Sequence, residues 1–367
     1  MDIVLFCGVV AIFFAVLQSV WGWKYGLFCG FFITTLLLAI HYDYGNDYWA
    51  YYNWFSDSLS ISMPKSLSEF LTISRDPGWD ILNLLFGKIF GKNGFFLMVA
   101  ILSVIESWCY YVFIIRCVQP KWYWLAMAIY ILNNHLFILS FSMMRQSLVM
   151  AILLICYIWI QERKIFLPIL VILLLSTIHN SVVLCVPIVF VSYLPVKNQQ
   201  LWAICLVCLW LLLLVVSSIL EPILLQFAAL SELLAHYVET YSGEGEMTFG
   251  FGYLLRVLPF FFLLYVLFTS KFEEDSLPLV LIWSLSIILI PFGAVIPLFG
   301  RLLFYFELLG LAVFPKIIIC SKNILVRIIL VISIIIFPLQ QLKNAFYDPS
   351  SVYYDSFLNF RTIFEAL

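Results

Sequence analysis

The stretch IFLPILVILLLSTIH, residues 165–179, carries the signal that sets the architecture. Every position from Val171 to Leu175 is apolar, and after His179-Asn180 the chain resumes as SVVLCVPIVFV at 181–191. A transmembrane barrel strand alternates polar and apolar residues over about 10 positions. This stretch does not alternate, so it reads as helix with no water-facing side. The same texture runs through the chain: 64% of its 367 residues are hydrophobic and only 11% are charged, with a mean hydropathy of +1.07. A soluble domain carries about 25% charged residues, so this chain could not cover a surface in water. A bilayer core of about 30 Å takes roughly 20 residues of helix, which leaves room for ten or more spans and none for a sizeable soluble domain. The expected class is an all-α polytopic membrane protein, one transmembrane helical domain over 1–367. A net charge of −2 and a pI near 6.1 leave no basic footprint, so nucleic acid is not an expected partner.

Apolar runs separated by charges or Pro/Gly breaks predict about twelve spans, near 3–20, 23–40, 94–116, 121–140, 144–160, 165–179, 181–195, 201–219, 250–270, 277–294, 302–319 and 324–341. The two short runs 165–179 and 181–195 also read as one bent span, and 79–90 as a re-entrant or surface helix. The first run has no basic region or small-residue cleavage site before Trp21 and reads as a retained span. The nine cysteines lie in or beside apolar runs, and even Cys205-Leu-Val-Cys208 has no nearby cation to activate a thiol, so they read as small buried hydrophobes.

Short cytoplasmic loops collect Lys and Arg. One orientation places Lys24, Arg116–Lys121, Arg163-Lys164, Lys197, Lys271 and the Lys316, Lys322, Arg327 group inside. The outer face then receives a first loop region at 41–93, a second, acidic loop at 221–249, the turn at 291–300 and the C-terminal tail at 342–367, with both termini outside. The outer stretch HYDYGNDYWAYYNWFSD, 41–57, sets Tyr48, Tyr51 and Trp54 among Asp43, Asp47 and Asp57. Aromatic residues at this level form an interfacial belt. They also suit a sugar, whose C–H face packs on a ring while its hydroxyls reach the acids, and the density of acids favours this second reading.

Charged side chains at membrane depth cost about 2.5–3.5 kcal/mol or more on insertion scales, so each is a functional candidate. Arg145-Gln146 opens one span, Arg256 lies a turn or two into another, Arg301 begins a third, and His179-Asn180-Ser181 breaks the stretch quoted first. Under the orientation above, all lie near the outer ends, whereas snorkelling arginines would gather with the other basic residues inside. Arg forks grip phosphate bidentately. Cations beneath an aromatic and acidic loop therefore point to an anion with a sugar head and an apolar tail. Glu106, mid-span, reads as a carboxyl hydrogen-bonded to a neighbouring helix, and Arg75-Asp76-Pro77-Gly78 as a turn where the chain re-enters the interface. P-loop, Cys/His metal spacing, nucleophile elbow and dinucleotide fingerprint are all missing.

These residues form an ordered series: Asp47, Tyr48 and Tyr51; Asp76-Pro77-Gly78; Arg145-Gln146; His179-Asn180-Ser181; Gly300-Arg301 with Tyr305. The series resembles the EpsG-like members of the Wzy-type polysaccharide polymerases, over most of the chain. The resemblance implies kinship with the C-type glycosyltransferases and an enzyme of the bacterial inner membrane with its active site facing the periplasm. Its substrates would be undecaprenyl-pyrophosphate-linked oligosaccharides, the growing polymer being passed to a fresh repeat unit, as in O-antigen polymerisation. Membrane lipid and a chain-length regulator protein are the other partners implied.

On that reading Arg145, Arg301 and Arg256 bind the pyrophosphate with Tyr305, and His179, Asp47 or Asp76 serves as base. Tyr48, Tyr51 and Trp54 bind sugar. No cofactor is expected, because the arginines supply charge neutralisation; a divalent metal on Asp43 and Asp47 is the alternative. An O-antigen ligase, a lipid-linked oligosaccharide flippase and a membrane acyltransferase are the competing classes. The flippase is disfavoured by the absence of repeated halves, and the acyltransferase by the absence of a closely spaced His–Asp pair.

Overall fold

A computed structural model describes residues 1–60, 76–194, 198–228, 250–295 and 297–365, and these are helical almost throughout. Six described helical stretches are long and apolar enough to cross a membrane: Asp2–Trp21, Pro77–Cys117, Met144–Gln161, Gln199–Ser217, Gly252–Thr269 and Ile324–Phe346. The pair Gly300–Glu307 and Gly310–Cys320, bent by 54°, makes a seventh if taken as one broken span. Gly26–Ile40, Phe166–Leu175 and Asn180–Tyr193 are apolar but shorter. The chain is thus an all-α membrane protein. The segment expected to span 121–140 is α-helical only over Tyr123–Leu132. There the Asn133 side chain takes the His135 N–H at 3.0 Å, a local bond that competes with helix continuation.

The chain divides into two compact units, Met1–Val186 with Ile334–Leu367, and Pro187–Ser333. In the first, α1 (Asp2–Trp21) and α2 (Gly26–Ile40) form a hairpin. Gly22, at φ 72°, closes α1 in the left-handed conformation that glycine adopts without penalty. The two helices approach closely: a Cβ on Gly26 would lie 2.2 Å from the Phe14 carbonyl oxygen. Small residues at a helix contact permit such packing where no hydrophobic force drives association.

The rest of this unit contains α3 (Tyr48–Ser60), α4 (Pro77–Phe90), α5 (Gly94–Cys117), α6 (Tyr123–Leu132), α7 (Met144–Gln161) and α8 (Phe166–Leu175). α2 packs on α5, α5 on α7, and α1 on α6. The 41–93 region is therefore built largely of helices where it is described. At 14 residues α4 is about 21 Å long, too short to cross a bilayer.

Two contacts gather the basic loops at one end. The Trp124 N–H donates to Ser19 Oγ at 3.1 Å, and the Cys117 thiol to Gln161 Oε1 at 3.3 Å. Lys24, Arg116, Lys121, Arg163 and Lys164 follow at that end. At the other end the N-terminal ammonium donates to the Leu358 carbonyl at 2.9 Å. His41–Tyr42 (β1) pairs antiparallel there with Arg361–Thr362 (β2) in a two-stranded sheet.

The second unit contains Gln199–Ala228, Phe251–Thr269, Leu277–Ile288, Ile290–Val295, Pro297–Glu307 and Gly310–Cys320. Gln199 clamps the Phe272 backbone, donating to its carbonyl at 2.8 Å and accepting its N–H at 2.9 Å. Of the expected 221–249 loop, 221–228 continue the long helix, and the remainder lies outside the described residues together with Arg75 and Lys197.

Candidate active site

The site grows from Arg145, in the first turn of α7. Its guanidinium lies 4.7 Å from the centre of the Trp54 ring and 5.6 Å from that of Tyr51. Nη1 forms an ion pair with Asp76 Oδ2, and Nε donates to the Tyr51 hydroxyl at 3.5 Å. Among the described residues Nη2 donates to no partner, and a fifth of the side chain is exposed. The fork is therefore stacked on two rings and fixed through Nη1 and Nε.

Asp76 and Pro77 form the start of α4, where proline suits the first helical position. An N-cap aspartate ordinarily accepts a bond from its own helix's N–H groups. Asp76 makes no such cap bond; its carboxylate holds Arg145 instead. The Gly78 N–H donates across to the Thr177 carbonyl at 2.8 Å. A Cβ on Gly78 would lie 2.3 Å from Thr177 Oγ1, so only glycine lets α4 dock there. The docking brings the 177–179 turn beside the Asp76 turn, with His179 half-buried two residues beyond Thr177.

One turn into α4, Asp80 accepts the Trp54 indole N–H at 2.7 Å, which orients the ring over Arg145. Trp79, fully buried, sets its edge against Tyr51 with ring centres 5.5 Å apart. Burial pushes the Tyr51 phenol up, and the Arg145 charge opposes this. The phenol therefore keeps its proton at neutral pH while its oxygen accepts from Arg145. Asp47 is exposed. Its backbone N–H donates to Ser142 Oγ at 3.1 Å, which ties α3's start to the segment that leads into Arg145.

Arg145, Asp76, Tyr51 and Trp54 thus meet directly, with Asp47 and His179 attached through Ser142 and Thr177. Tyr48 is placed differently from a sugar platform. It is fully buried, with His41, Tyr42, Trp49 and Phe95 around its ring at 5.4–5.8 Å. Trp49, on the opposite face of α3, is 43% exposed. Arg256, Arg301 and Tyr305 belong to the second unit: Arg256 is half-buried, Arg301 exposed and Tyr305 fully buried.

Sequence reading passed over Trp79 and Asp80. The motif Asp76-Pro-Gly-Trp79-Asp80 carries the signal, since helical spacing from Asp76 places positions three and four along on its own face. No group of three or more His, Cys, Asp or Glu suited to a metal occurs among the described residues. Asp43 is engaged by protein, its Oδ2 by Arg361 at 2.9 Å and its Oδ1 by the Trp49 indole at 2.5 Å.

These features define a class: a polytopic helical membrane protein with a stacked guanidinium–carboxylate pair at one end of its bundle. Residues 24–362 match the EpsG family. The chain belongs to that family, whose members are membrane proteins of the polysaccharide-polymerase type. No curated protein and no solved structure matches the chain.

Proposed function

We propose that this protein is a glycosyltransferase that polymerises undecaprenyl-pyrophosphate-linked oligosaccharide repeat units, as in O-antigen synthesis. The observation that carries the reading is Arg145 in a family of polymerase type: clamped by Asp76, Tyr51 and Trp54, with no partner for Nη2 among the described residues. The long apolar helices are passes through the bacterial inner membrane. Placing the basic loop end in the cytoplasm puts the Arg145 end in the periplasm.

In the reaction an acceptor sugar hydroxyl attacks C1 of the donor polymer. The C1–O bond breaks, and its electron pair goes to the pyrophosphate oxygen. Charge grows on that oxygen, and a preorganised guanidinium stabilises it without reorganisation. Asp76 holds the guanidinium, so removal of the hydroxyl proton falls to Asp47 or His179. Trp54 and the exposed Trp49 offer rings to the sugar, while Tyr48 supports them from the core. Arg301, Arg256 and Tyr305 are assigned to pyrophosphate on sequence grounds, and no metal is required.

Deletion of the gene is expected to abolish long surface polysaccharide while leaving single repeat units on the lipid A core. Single substitutions Asp47→Ala, His179→Ala and Arg301→Ala, at normal membrane levels, are expected to shorten the chains. Accumulation of repeat units on the cytoplasmic leaflet would instead indicate a flippase, and uncapped lipid A a ligase. If all three variants kept wild-type length, the assignment of those residues would be wrong.

A further inference from the structure

The C-terminal segment 347–362 lies across the same end of the first unit as the candidate site, and its contacts concentrate on residues 41–46. The strand pairing sets Arg361 opposite Tyr42 and Thr362 opposite His41. The Gly45 N–H, at φ 110°, donates to the Ser356 carbonyl at 3.0 Å, and the Asn46 amide reaches the Val352 carbonyl at 3.4 Å. Tyr44 is fully buried, with Phe357 and Phe360 at 5.0 and 5.2 Å between ring centres. The far end is anchored by Tyr347, which donates to Asp2 Oδ1 at 2.6 Å, and between Ser356 and Arg361 the Leu358 carbonyl accepts from the N-terminal ammonium.

What the segment holds is the entry into α3. Arg361 pairs with Asp43, whose other carboxylate oxygen accepts the Trp49 indole N–H. Asp43 sits at φ 49°, a left-handed conformation that aspartate tolerates better than most residues. The loop thus turns sharply at Asp43 and Gly45, and the Gly45 carbonyl receives the Tyr48 N–H at 3.2 Å as α3 begins. Tyr51 and Trp54, the two rings around Arg145, follow within two turns.

We infer that the C-terminal segment is a strap that positions the site, with Arg361 its positioning residue. Arg361 acts through Asp43 and Trp49 to set where α3 starts, and hence where Tyr51 and Trp54 meet Arg145. The inference rests on the polymerase reading for its functional consequence. Arg361 is half exposed, so its loss need not unfold the protein, whereas charge reversal sets a carboxylate against Asp43.

The test uses the full-length protein in membranes, comparing Arg361→Glu and Arg361→Lys with wild type. Amide exchange over residues 41–54 is expected to quicken roughly fivefold in Arg361→Glu, as local opening becomes easier. Modal polysaccharide length is expected to fall at least about twofold through the misplaced rings. Arg361→Lys, which keeps the charge pair, stays near wild type in both readouts. Unchanged exchange in Arg361→Glu overturns the strap, and so does faster exchange with wild-type chain length. Arg145→Lys separates the two claims: wild-type length in that variant removes the polymerase site, while the exchange result still decides whether the strap holds α3.

Discussion

Arg145→Lys should accumulate in the membrane at near wild-type level and yet polymerise poorly, with a rate lower by roughly 10²-fold or more. The ammonium keeps a positive charge beside Asp76, whose side chain is 8% exposed. Removing the charge, as in Arg145→Ala, would strand that carboxylate at a cost of a few kcal/mol, up to ~5, and mix lost stability with lost activity. Lysine avoids this. It cannot reproduce the fork, however, because one ammonium does not span Asp76 and the Tyr51 hydroxyl while presenting a flat, open edge between two rings. The measurement is surface polysaccharide length against immunodetected protein. Wild-type chains would show that only charge matters at this position.

Gly78→Ala should be the most disruptive substitution outside the residues that touch substrate. Its new methyl would lie 2.3 Å from Thr177 Oγ1 and 3.1 Å from the Thr177 carbonyl carbon. Thr177 also accepts the Gly78 N–H, so α4 can back away only by breaking that bond. Overpacking of this kind costs about 1–3 kcal/mol. The larger effect is geometric: α4 begins at Asp76 and carries Asp80, and a shift of about 1 Å there is worth up to roughly 10²-fold in rate. Both partners that orient Arg145 and Trp54 move together. Thr177→Ala should partly restore the activity of Gly78→Ala, because it removes the nearest clashing atom. Chain length and thermal melting of the single and double variants check this, and failure of the second substitution to restore anything would refute the steric account.

Much of the fold was legible because lipid imposes a simple rule. A run such as Val171–Leu175 has no polar face to hide, and the basic residues mark one set of turns. The irregular stretch after Leu132 was not legible, because its surroundings are apolar and the break depends on a local bond from one asparagine. Arg145 and Asp76 stood out against an apolar background, but their pairing joins positions 69 residues apart and leaves no periodic trace. The Asp43–Arg361 pair, 318 residues apart, was hidden for the same reason. Tyr48 was readable in principle: with Tyr51 and Phe55 it follows the i, i+3, i+7 spacing of one helical face, the face that is buried. Residue type drew attention to Tyr48, and spacing would have pointed to Trp49 as the accessible ring.

Polymerisation by the purified protein in liposomes, given only lipid-pyrophosphate-linked repeat units as donor and acceptor, tests the assigned activity without any other enzyme. Wild-type protein is predicted to yield a ladder of lengthening lipid-linked polymer, and Arg145→Lys little beyond the single unit. Absence of a ladder from correctly folded wild-type protein would rule out the polymerase, and an identical ladder from Arg145→Lys would rule out the guanidinium fork.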